Sequence, residues 1–133
     1  MTRMVGRTER PEVWVGHVVL ASHDLPRALA FYESMGLRRL RELNEGDGLI
    51  ELEMRGGTHL VFVLDPAART DGRAAPFDLM VDDLDAFHAD LHGRGVETSD
   101  IERGAPFDHD SFTFRDPDGH VVTVNNTHVE GTV

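Results

Sequence analysis

Few side chains in this sequence suit catalysis or ligand binding, and their types narrow the chemistry available. Cysteine and lysine are both absent, so all 13 basic residues are Arg. That removes thiolate nucleophiles, Cys-type zinc sites and Schiff-base chemistry. Ser22-His23-Asp24 has the letters of a hydrolytic triad, but adjacent residues cannot converge their side chains on one proton path. Glu51 and Glu53 stand two apart, hence on one face of a strand, where they suit a general base, a partner for a cationic ligand, or a plain solvated face. Asp78, within Phe77-Asp78-Leu79-Met80-Val81, is a carboxylate among apolar neighbours and needs a partner or a raised pKa; Arg115 is the expected partner. His23, His88, His92 and His128 fall on caps, helices or the tail and read as surface residues. No Gly-rich phosphate loop, HExxH string or aromatic-basic array is present.

These residues sit in a chain that repeats itself. His23-Asp24-Leu25 through Gly36-Leu37 matches Asp82-Asp83-Leu84 through Gly95-Val96 at an offset of 59 residues without a gap. Asp24 and Asp83 can cap a first helical turn with their carboxylates. Leu25, Ala28, Leu29 and Tyr32, and then Leu84, Phe87 and Leu91, recur at helical spacing. Gly36, and Gly93 or Gly95, suit a left-handed helix end. An apolar run precedes each helix, Val15 to Ala21 and Phe77 to Val81, and three strand-like runs follow each: Leu37 to Leu43, Leu49 to Met54 and Thr58 to Leu64, then Val96 to Glu102, Ser111 to Arg115 and His120 to Asn125. Gly46-Asp47-Gly48, Gly56-Gly57 and Asp116-Pro117-Asp118-Gly119 supply turns. Each copy therefore reads as βαβββ, an α+β pattern, with an Ala/Pro/Gly-rich linker between the copies.

Period-two alternation then assigns faces. Val18, Leu20, Ile50, Leu52, Met54, Leu60, Phe62 and Leu64 are expected in the core of the first copy, and Phe77, Leu79, Val81, Phe112, Phe114, Val122 and Val124 in that of the second. His17, Val19, Glu51, Glu53, His59, Val61 and Val63, together with Pro76, Asp78, Met80, Ser111, Thr113, Arg115, Val121, Thr123 and Asn125, take the opposite faces. One set is wholly apolar and the other mixed, the pattern of sheets with one packed and one open face.

Paired βαβββ copies, the string Gly16-His17-Val18-Val19-Leu20 with Asp24-Leu25 and Phe31-Tyr32 downstream, and the hairpin Phe114-Arg115-Asp116-Pro117-Asp118-Gly119-His120 resemble the vicinal oxygen chelate superfamily of glyoxalases, bleomycin resistance proteins and extradiol dioxygenases. The resemblance implies a single glyoxalase-like domain over 13–133, with module one at 13–65, a linker at 66–75 and module two at 76–126, its curled mixed sheets forming a cleft. It also implies four positions for a divalent ion, filled in metallated members by His, Gln or Glu. Here they hold His17, Pro76, Thr123 and, in the last strand of module one, Val61, or Phe62 if that strand slips by one. One donor of four survives, and a lone imidazole does not hold Zn²⁺, Ni²⁺ or Fe²⁺ against water. A rebuilt site of His17, His59, Asp78 and a Glu is the way a metal would be kept.

Charge and composition bound the rest. The net charge is −11, and five Arg against fourteen acids place −9 of it in residues 67–133. Such a chain repels phosphate backbones, so no nucleic-acid partner is expected, while a cationic ligand would be attracted. No apolar run approaches the ~20 residues that span a bilayer, so no membrane partner is expected either. Residues 1–12, with Arg3, Arg7 and Arg10 and no apolar stretch, read as a flexible N-terminal extension and not a secretory signal, which points to the cytoplasm. Two functions stay open. One is a metal-independent binding protein without cofactor for a small or cationic molecule, using His17, Glu51, His59, Asp78, Thr113, Arg115 and Thr123. The other is a metal-dependent lyase, epimerase or dioxygenase with one divalent ion at His17, His59 and Asp78. The resemblance further implies a homodimer, with ligand specificity set by the loops Asn44 to Gly48 and Glu102 to Asp110.

Overall fold

The computed structural model describes residues 10–68, 72–104 and 109–127. Most of the N-terminal extension, part of the linker, the middle of the loop from Glu102 to Asp110, and His128 lie outside the described residues. The chain forms two compact units that divide near residue 70. In the first, strand β1 (His17–Ser22), helix α1 (Leu25–Ser34) and strands β2 (Arg38–Arg39), β3 (Leu49–Glu53) and β4 (His59–Leu64) follow in order. They build a mixed sheet ordered β1-β4-β3-β2, with β1 parallel to β4 and the other pairs antiparallel. In the second, strand β5 (Ala74–Val81), helix α2 (Leu84–Gly93) and strands β6 (Ser111–Arg115) and β7 (Val121–Asn126) give the order β5-β7-β6, again with the outer parallel pair β5 and β7.

Both helices begin and end by the same chemistry. Asp24 and Asp83 each accept from the backbone amide three residues on, Arg27 and Ala86. At the other end Leu37 N donates to Tyr32 O and Gly36 N to Glu33 O, while Val96 N donates to Leu91 O and Gly95 N to His92 O. These are two Schellman motifs 59 residues apart, with Gly36 and Gly95 in the left-handed region at φ 108° and 82°. Gly93 is the last residue of α2 itself and does not form the cap.

The core follows the expected faces with a few corrections. Leu20, Leu25, Leu29, Tyr32, Ile50, Leu52, Leu60 and Phe62 are buried in the first unit, and Leu84, Leu91, Phe112, Phe114, Val122 and Val124 in the second, each large side chain contributing roughly 1.5–3 kcal/mol by burial. Phe77, Leu79 and Val81 are half-buried and so contribute less. Leu64, expected inside, is 42% exposed because it ends its strand. Val61, expected on the open face, is only 7% exposed; it lies on the central strand between Val19 and Glu51, which flank it on the same rung. Ser111 and Asn125 are likewise buried.

Two strands differ from expectation. The run from Leu37 to Leu43 forms a strand only at Arg38 and Arg39, with one further bond from Leu40 N to Glu51 O at 3.1 Å. From Val96 to Glu102 only isolated bridges form, Thr98 to Phe114 and Glu102 to Ser111. Ser99 explains the break, since its Oγ takes the Thr113 amide at 2.8 Å; a side chain has replaced a rung of the ladder. β5 is irregular too: it advances four residues, Ala74 to Asp78, where β7 advances two, Val121 to Thr123. Pro76 lies in that bulge, and it has no amide to donate to β7.

Candidate functional site

Strand register settles which residues share a rung. In the first unit His17 pairs with His59 across the parallel β1–β4 ladder, and Glu53 pairs with His59 from the other side. The two imidazoles meet edge to face, centroids 5.0 Å apart at 82°. His17 is exposed and His59 half-buried, and His59 Nδ1 is buried with no hydrogen-bond partner among the described residues. Glu53 is bound to Arg38, which leaves Glu51, half-buried one rung along between β4 and β2, as the carboxylate not engaged by an Arg on this face.

In the second unit Asp78, Thr123 and Thr113 occupy one rung of β5, β7 and β6. The expected Asp78–Arg115 pair does not form. β7 lies between β5 and β6, which sets Arg115 two strands, about 9.6 Å, from β5. Asp78 Oδ2 instead accepts from Asn125 Nδ2 at 2.6 Å. Arg115 pairs with Glu97 at 2.8 Å. Of the residues expected to act together, His17 and His59 thus meet in one unit, and Asp78, Thr113 and Thr123 share a rung in the other.

The same register aligns the last strands of the two modules. Val61 stands beside Val19 on the rung of Glu51, as Thr123 stands beside Asp78 on the rung of Thr113, so Val61 and Thr123 are equivalent positions. The four positions that the resemblance assigns to a divalent ion hold His17, a buried Val61, an exposed Pro76 and Thr123. Hydrocarbon, a proline ring and a neutral hydroxyl do not fit that ion. Of the rebuilt set, Asp78 already spends one oxygen on Asn125.

Three features carry signals that sequence reasoning passed over. A surface pocket of about 460 Å³ opens between the start of α1 and the loop before β3, lined by His23, Asp24, Glu45, Asp47 and Leu64 among others. A second pocket, about 510 Å³, lies between residues 10–14 and Arg55, Gly56 and Thr58, where Thr58 Oγ1 donates to Val15 O at 2.6 Å. Third, the buried Asp116, Asp118 and His120 bring their potential ligand atoms within 4.8 Å of one another. Asp116 Oδ1 accepts from the amides of Asp118 and His120 at 3.0 and 2.9 Å, so its carboxylate shapes the hairpin turn.

A family model described as Glyoxalase/Bleomycin resistance protein/Dioxygenase superfamily matches residues 14–124. No curated protein matches the chain. Solved structures do. Lactoylglutathione lyase from Agrobacterium tumefaciens is 22% identical, covers 88% of this chain and 96% of its own, and superposes with a TM-score of 0.68. A bleomycin-binding protein complexed with bleomycin is 21% identical over 87% of this chain and 99% of its own, with a TM-score of 0.68. A superfamily member from Sphaerobacter thermophilus gives 20% identity, coverage of 86% and 98%, and a TM-score of 0.71.

Proposed function

Because the chain belongs to the Glyoxalase/Bleomycin resistance protein/Dioxygenase superfamily, we propose that it is a small-molecule binding protein that takes a cationic ligand without the superfamily's metal ion. One observation carries this reading: three of the four positions that the resemblance assigns to a metal hold Val61, Pro76 and Thr123, none of which offers a charged or imidazole donor. The net charge of −11 supports a cationic ligand, and a bleomycin-binding protein of the same fold supports a binding role. On this reading His17, Glu51, His59, Asp78, Thr113, Arg115 and Thr123 contact the ligand, and the protein is a homodimer.

Metal analysis and calorimetry test it together. We expect purified protein to lack stoichiometric Zn, Ni, Mn or Fe, and bleomycin or another cationic small molecule to stabilise it, by about 2.7 kcal/mol at a hundred times the Kd. Glu51→Gln and His17→Ala should weaken that binding. A stoichiometric metal whose removal abolishes ligand binding would sink the proposal.

The contact between His17 and His59 favours a second reading, a metal-dependent lyase, epimerase or dioxygenase with His17, His59 and Asp78 as ligands. A metal bound there supplies Lewis-acid polarisation of vicinal oxygens. The residues themselves would orient the substrate, with Glu51 positioned to take a proton. The metal analysis above separates the two.

A further inference from the structure

Helix α2 carries a second histidine pair, away from the sheet faces. His88 and His92 are one turn apart and so share a helix face. Their rings are parallel, 5° between planes, with centroids 6.0 Å apart. Both are anchored by the segment that follows the helix. His88 Nε2 lies 2.8 Å from the Ser99 carbonyl oxygen; a carbonyl only accepts, so Nε2 carries the proton and Nδ1 keeps its lone pair. His92 Nδ1 lies 3.2 Å from Thr98 Oγ1, which leaves Nε2 without a partner among the described residues. The ring of His88 is also wedged edge-on against Phe112, 4.8 Å away.

We propose that His88 and His92 form a surface chelate for a divalent late transition-metal ion, Cu²⁺ foremost, through Nδ1 of His88 and Nε2 of His92. Spacing of i and i+4 is what presents two imidazoles to one ion on a helix. The bonds from the far nitrogens to a carbonyl and a hydroxyl are the outer contacts that orient metal-binding histidines and fix their tautomers. Bond lengths of about 2.0–2.1 Å require the two nitrogens to approach each other, and exposed His92 has the side-chain freedom to close on the more confined His88. The two carboxylates of α2 are engaged, Asp85 on Arg103 at 2.6 Å and Asp90 on Arg94 at 2.9 Å. On this proposal the protein contributes the two imidazoles, and water completes the shell. Such a site holds an exchangeable ion, and of the first-row ions Cu²⁺ binds it most strongly. The excess of acid in residues 67–133 raises the local cation concentration.

Amide line broadening by substoichiometric Cu²⁺, followed in spectra of the ¹⁵N-labelled full chain, tests the proposal. Signals of α2 and of residues 96–99 should broaden in the wild type and in His17→Gln, and should stay sharp in His92→Gln. Gln keeps helix propensity at an exposed position, and an unchanged far-ultraviolet dichroism spectrum confirms that this variant is folded. Thr98→Val retains both imidazoles but loses one anchor, and should weaken Cu²⁺ binding about tenfold. Broadening centred on His17 and His59 or on Asp116 to His120 and unaltered in His92→Gln overturns the assignment. So does the absence of broadening at equimolar Cu²⁺.

Discussion

Arg103 shows how single side chains hold irregular backbone in place. It bridges Asp85 on α2 and Asp110 before β6, at 2.6 and 3.1 Å. The hydrogen bond from Arg103 holds the Asp85 carboxyl below its ordinary value. For Asp110 the Gly104 amide is the larger cause of a similar lowering, and Arg103 the second. A carboxyl whose pKa is lower folded than unfolded adds stability that is complete above the unfolded value, about 3.9, and is lost as pH falls through the folded one. In Arg103→Ala we expect Asp85 to titrate near its ordinary value while Asp110 recovers only in part, read by carboxyl ¹³C shifts across the acid range. An Asp85 titration unmoved by the substitution would show that the ion pair is not the cause. Since Arg103 and Asp85 are exposed, the change in overall stability should be small. At this scale the sequence was half legible. Asp78, expected from its apolar neighbours to need a partner, is in fact exposed, and its bond to Asn125 depends on β7 lying between β5 and β6, which no local pattern encodes.

The helices were the most legible elements, because their start and stop signals are local. Asp at the cap, apolar residues at helical spacing and Gly beyond the end lie within fifteen residues of one another and recur 59 residues later. Asp83→Ala should cost about 1 kcal/mol through the lost amide contact. Gly95→Ala should cost roughly 1–2 kcal/mol by forcing a side chain into left-handed backbone, since open space surrounds that position and leaves conformation as the sole penalty. Urea denaturation measures both, and a neutral Gly95→Ala would contradict the Schellman geometry. Strands were less legible, because pairing competes with side chains. Nothing in the letters of Val96 to Glu102 says that the Ser99 hydroxyl displaces a rung, nor that the run after α1 forms a strand at only two residues.

For the molecule as a whole, duplication made the fold legible: two copies of one pattern are far harder to produce by chance than either alone, and the family match over residues 14–124 agrees. The candidate site was legible only as faces. Alternation separated apolar from mixed residues, yet rung assignments needed the register, and the pockets depend on loops whose paths are not periodic. Val13, Trp14 and Val15 stand exposed immediately ahead of β1, an end strand of its sheet, Trp14 at 61%. Apolar side chains clustered at such a place suit burial against a second copy. Light scattering should return twice the mass of the single chain, and Trp14→Ser should shift the population toward one copy. A wild-type protein that scatters as one copy would refute the homodimer.

The proline in β5 makes the two copies unequal in a way that side-chain exchange alone does not repair. His17 stands on evenly stepped backbone, whereas its counterpart occupies a stretch that has slipped against its neighbour by two residues. Exchanging Pro76 for His would leave that stretch still out of step with β7. Restoring there the even step that β1 has is accordingly an edit of chain length as much as of chemistry.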